Sequence, residues 1–75
     1  MKYTLYTHEM VENDMEHHVL QKEYDADNYV HVTYLIKGGK VTRGDAKVVQ
    51  NGVVKEFEIT SNRALKRVMK YLEKN

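Results

Sequence analysis

The stretch Ala46-Lys47-Val48-Val49-Gln50-Asn51-Gly52-Val53-Val54-Lys55-Glu56-Phe57 decides the fold. Asn-Gly between two valine-rich segments is what a two-residue type I′ hairpin requires, since both central residues tolerate positive φ. Pairing Gln50 with Val53 sets Lys47 opposite Glu56 and Ala46 opposite Phe57. Ala46, Val48, Phe57 and Ile59 then share one face. Val49 and Val54 pair on the other, beside Lys47 and Glu56.

Working outward, turn signals recur at Asn13-Asp14, at Asp25-Ala26-Asp27-Asn28 and at Gly38-Gly39. Tyr29 to Lys37, rich in β-branched and aromatic residues, reads as a strand, and so does Val53 to Thr60. A two-residue loop at Gly38-Gly39 would pair Ala46 with His31. That turns Val30, Val32, Tyr34 and Ile36 to the wrong face, because a slip of one residue inverts every side chain. One residue must be added or removed between Ile36 and Ala46. Gly44 is the expected place for a β-bulge, since glycine accepts left-handed backbone; an odd-length loop over Lys37 to Lys40 is the alternative.

Residues 8–24 admit two readings. A helix aligns Val11, Met15 and Val19 but sends Met10, Leu20 and Tyr24 to the opposite side. A hairpin about Asn13-Asp14 puts Glu9 opposite His18. The even spacing of turns favours a strand meander.

Ser61 to Asn75 reads as a helix capped by Ser61 or Asn62. Leu65, Val68, Met69 and Leu72 follow the i, i+3, i+4, i+7 rule for a buried stripe. Arg63, Lys66, Arg67, Lys70 and Lys74 follow it on the opposite side. The fold class is therefore α+β: a small antiparallel sheet, a meander or one with a helix at 8–24 in place of the second strand, packed against one C-terminal helix. Its core is expected from Val30, Val32, Tyr34, Ile36, Ala46, Val48, Phe57, Ile59, Leu65, Val68, Met69 and Leu72.

The 75 residues read as one domain over 1–75, near the lower size limit for a self-sufficient core, where homodimer formation is a common remedy. The absence of cysteine excludes a disulfide framework and a thiolate zinc site. It fits the cytoplasm, as does an N-terminus lacking the apolar run of a signal peptide; no membrane association is expected. The net charge of +1 conceals a split: two Lys against seven acids from Met1 to Ile36, and ten Lys or Arg against four acids from Lys37 to Asn75. Such a split marks charged binding surfaces or two halves that neutralise each other.

Four histidines raise metal binding, but His17 and His18 are adjacent and point to opposite faces of a strand. His8, His31 and Glu9 share no ligand spacing such as H-x-x-x-H. A small ribonuclease could be built from His, Arg and Tyr as acid, base and phosphate clamp. Nothing in the sequence places those groups together, and the nucleophile-elbow and phosphate-loop motifs are missing. Arg43-Gly44-Asp45 spells an adhesion tripeptide by chance. No enzyme activity, catalytic residue, cofactor or metal is expected.

Two binding readings remain. Nucleic-acid binding rests on Arg63, Lys66, Arg67, Lys70 and Lys74, with Lys37, Lys40, Arg43 and Lys47 on neighbouring strands and Tyr29 as a stacking surface. The strand-strand-strand-helix order is similar to the second half of a double-stranded-RNA-binding domain. Only Arg63, Lys66 and Arg67 match that family's lysine cluster, with altered spacing, and its histidine loop has no counterpart. Protein binding is the leading expectation, because a sheet with one helix leaves its second face open unless the N-terminal segment covers it. Lys47, Val49, Val54 and Glu56 are the expected partner-binding residues. The protein then acts as a stoichiometric regulator, inhibitor or adaptor, a type frequent among phage and mobile-element accessory proteins, on a protein partner whose identity the residues do not give.

Overall fold

Four two-residue turns fold the chain back on itself into an antiparallel meander, seen in a computed structural model that describes residues 3–73. The strands are β1 (Tyr3–Glu12), β2 (Met15–Asp25), β3 (Asn28–Lys37), β4 (Lys40–Gln50) and β5 (Val53–Ile59), followed by helix α1 (Asn62–Glu73). Each strand pairs only with its sequence neighbours, in the order β1-β2-β3-β4-β5. Residues 8–24 are thus strand, and the helical alternative does not hold.

Turn chemistry follows residue type. Asn13, Asp14, Gly38, Gly39, Asn51 and Gly52 all have positive φ, so three of the hairpins close through left-handed pairs. The fourth, Ala26-Asp27, is held instead by Asp25, whose Oδ1 accepts from the Asp27 backbone N–H (2.8 Å) and from Asn28 Nδ2 (2.9 Å). That pairing, the Asn28 side chain foremost, holds the Asp25 carboxyl below the usual carboxylate range.

The β4–β5 register matches the sequence reading: Gln50 with Val53, Val49 with Val54, Lys47 with Glu56 and Ala46 with Phe57. Between β3 and β4 the required extra residue is present, and Ala46 faces Val32. Its place is Thr42 rather than Gly44, for Val41 pairs with Ile36 and Arg43 with Leu35. Placing the bulge there keeps Val41 on the buried face, and the Thr42 hydroxyl donates to the Leu35 carbonyl (3.3 Å). Gly44 stands in a regular ladder opposite Tyr34 and Ile59. A Cβ there would collide with the Thr33 carbonyl oxygen and come within 2.7 Å of Tyr34 Cβ, so glycine is demanded by close approach and not by φ.

A further bulge at Val11 shifts β1 against β2, so Glu9 faces His17 and His8 faces His18. This corrects the expected Glu9–His18 pair.

Ser61 caps α1, its Oγ accepting from the Ala64 N–H (3.1 Å). Asn62, the first helical residue, ties the helix to the β3–β4 turn. Its Oδ1 accepts from the Val41 N–H (2.8 Å) and its Nδ2 donates to the Gly39 carbonyl (3.3 Å). The helix lies over β4 and β5, consistent with a body about 10 Å wide set on strands about 4.8 Å apart. Val30, Val32, Tyr34, Val41, Ala46, Val48 and Ile59 of the sheet form the core with Val68 of the helix, and Leu20, Ile36, Phe57, Ala64, Leu65 and Met69 are partly buried around it. The Leu72 side chain lies outside what the structure describes. No helix among the described residues is long and apolar enough to cross a membrane.

Candidate functional site

The strand registers divide the side chains into two faces, and α1 covers part of one. On the opposite face Leu5, Glu9, His17, Val19, Tyr29, His31, Leu35, Arg43, Asp45, Lys47, Val49, Val54, Glu56 and Glu58 stand together. The N-terminal segment does not fold over this face; it extends the sheet as β1.

The four expected docking residues are brought together there, as the pairs Lys47–Glu56 and Val49–Val54. They are not equally available. Val54 is 51% exposed, whereas Val49, between Tyr29 and Val54 in the ladder, is 5% exposed. The Lys47 ammonium sits 5.8 Å from the Tyr29 ring centroid, a cation–π distance, so this lysine is partly engaged within the chain. Asp45 and Glu58 stand directly opposite each other, a like-charge pair that is unfavourable within the ladder.

An open depression of about 330 Å³ interrupts this face, lined by His17, Leu35, Arg43 and Asp45 among others. It gathers a base, a guanidinium and a carboxylate. Among the described residues no hydrogen bond or ion pair links the three.

The basic helix face is also present. Arg63, Lys66, Arg67 and Lys70 are all exposed; Lys74 lies outside the described residues. Arg43 and Lys47, expected to reinforce them, project from the opposite side of the sheet, because Leu35 and His31 across the ladder alternate with the core residues Tyr34 and Val32.

Sequence reasoning missed a ring cluster on the helix side of the sheet, beyond the edge of the helix. His18 is buried and stacks on Tyr34 (centroids 4.8 Å apart, planes at 4°) and on His8 (5.2 Å, 13°). Its Nε2 meets Glu16 Oε1 at 3.1 Å and its Nδ1 meets the Tyr6 hydroxyl at 2.5 Å. An ionised carboxylate only accepts, so His18 Nε2 donates to Glu16. Burial, with the Tyr6 hydroxyl adding to it, pushes the Tyr34 phenol up. The signal for this cluster is a cross-strand row, visible only once the Val11 bulge fixes the β1–β2 register. Among the described residues no three His, Asp or Glu side chains converge on a metal-sized point.

No protein-family model, curated protein sequence or solved structure matches this chain.

Proposed function

We propose that this is a small non-enzymatic binding protein that engages another protein stoichiometrically, as a regulator, inhibitor or adaptor, through the sheet face opposite α1. The observation that supports the reading is one-sided cover: among the described residues one helix serves five strands, and none covers the other face. That face mixes exposed aliphatic groups such as Leu5 and Val54 with both signs of charge. The composition resembles a non-obligate protein interface, apolar anchors set among polar groups, more than a ligand pocket. The cysteine-free chain suits a reducing compartment, and the cytoplasm is the proposed setting.

The test is affinity capture with the chain as bait, followed by native mass measurement of the eluted complex. A defined-stoichiometry complex lost with Val54→Asp and kept with Lys66→Glu/Arg67→Glu supports docking on the open face. A complex with the opposite sensitivity overturns it.

A second reading is favoured by the four exposed cations of α1: nucleic-acid binding through Arg63, Lys66, Arg67 and Lys70. Contact with about four phosphates gives a log–log salt slope of about −3 to −4 in a fluorescence-anisotropy titration against RNA and DNA. Lys66→Glu/Arg67→Glu abolishes it. Absence of binding at low salt removes this reading.

A further inference from the structure

The two edges of the sheet are built differently. β5 (Val53–Ile59) carries Lys55, Glu56 and Glu58 in seven residues, the charged edge that keeps strands from adding. β1 (Tyr3–Glu12) has two charged residues in ten, Glu9 and Glu12, both toward its C-terminal end, and neither lysine nor proline. It also leaves Leu5, Tyr6, Met10 and Val11 between 43% and 60% exposed. Ahead of the bulge at Val11, residues 3–10 are a regular row of backbone donors and acceptors with little to guard it.

We infer that this edge pairs with β1 of a second copy of the chain, antiparallel and centred on Thr7, to make one continuous sheet across two molecules. The edge is complementary to itself in that register. Its acids, Glu9 and Glu12, both lie toward the C-terminal end, so a parallel partner would align like charges. The antiparallel register sets Glu9 opposite Leu5, Met10 opposite Thr4, and no acid opposite another. It also sets Tyr6 opposite His8 of the second copy. Both belong to the helix-side face, and His8 is the exposed end of the Tyr34–His18–His8 stack. Each stack therefore acquires one more ring across the joint, an aromatic cross-strand pair of the kind that stabilises sheets. The pairing uses an edge and leaves the open face free, so it stands independently of the partner reading above.

The chain has no cysteine, which makes the register directly testable. Thr7 meets Thr7 of the second copy at the two-fold axis. With oxidised glutathione, Thr7→Cys is expected to form a disulfide-linked dimer at least about tenfold faster than Val54→Cys, because pairing raises the local thiol concentration. In sedimentation velocity the native chain runs as a dimer and Leu5→Lys/Met10→Lys as a monomer with an unchanged circular dichroism spectrum. If the double variant loses its sheet signal, the Thr7→Cys rate decides alone. A native chain that stays monomeric at every concentration overturns the inference. So does a folded double variant that remains dimeric, or a Thr7→Cys rate no greater than that of Val54→Cys.

Discussion

The β3–β5 half of the sheet and the β1–β2 half present the same helix-side face, yet they are filled by different chemistry. Under α1 the side chains are hydrocarbon, aliphatic apart from Phe57, and Ile59, Val32 and Val48 are the largest fully buried ones. Beyond the helix, the buried position on β2 is His18, sandwiched between His8 and Tyr34. One helix spans about two strands, so the remaining strands need another means of excluding water. Flat rings stacked across the ladder provide it, keeping their polar atoms bonded at the rim. Cover by a helix permits plain hydrocarbon; its absence selects rings with polar handles.

Truncation tests that contrast most severely. Ile59→Ala is expected to cost about 4 kcal/mol in urea unfolding, because the hole it leaves is closed over by α1. Leu20→Ala, on the half-buried side, should cost about 2 kcal/mol or less, since solvent and neighbouring rings can collapse into the gap. Equal losses would mean that the two halves are equally closed. Gly44→Ala comes next, at about 2–3 kcal/mol, for the new methyl meets strand backbone and not a flexible side chain. His18→Phe keeps a ring in the stack but removes its hydrogen bonds to the half-exposed Tyr6 hydroxyl and Glu16, which water can replace, and a loss of about 1 kcal/mol or less is expected. If His18→Phe is neutral, the ring stack and not its side-chain hydrogen bonds is what adds to the β1–β2 backbone ladder.

The smallest effects are those of pH. Tyr34 is raised, so its contribution is intact below the ordinary phenol value of about 10 and is lost as pH climbs from there through its folded value. Asp25 is lowered, so its contribution is intact above the ordinary carboxylate value of about 4 and fades as pH falls below it. Chemical denaturation across pH checks both: Tyr34→Phe should flatten the alkaline limb and Asp25→Asn the acid limb.

The same contrast explains what the sequence made legible. Strands β3 to β5 and the helix announce themselves because one covered face must be apolar, and alternation or a 3.6-residue stripe follows. Residues 8–24 sit where no helix covers either face, so neither face needs to be purely apolar, and the period-two signal fades. The parity of Val30, Val32, Tyr34 and Ile36 against Ala46 demanded a bulge. Its position differs from the expected Gly44 because that glycine serves close approach to β3, while burial of Val41 puts the extra residue at Thr42. On the open face, pairing was readable from Asn51-Gly52. The burial of Val49 was not, since it depends on Tyr29 arriving from a strand twenty residues earlier.

The meander also fixes how the chain finds its shape. Every ladder closes over two residues, so no pairing waits on a long loop, and the closure entropy at each step is near its minimum. Hairpins form in about 1–10 μs, and any of the four can start the sheet while the others add in turn. With no proline in the chain, no isomerisation lasting tens of seconds intervenes. The last event is then the docking of α1, which needs β4 and β5 already paired to offer it a surface. Refolding monitored by hairpin order should therefore run ahead of burial of Val68.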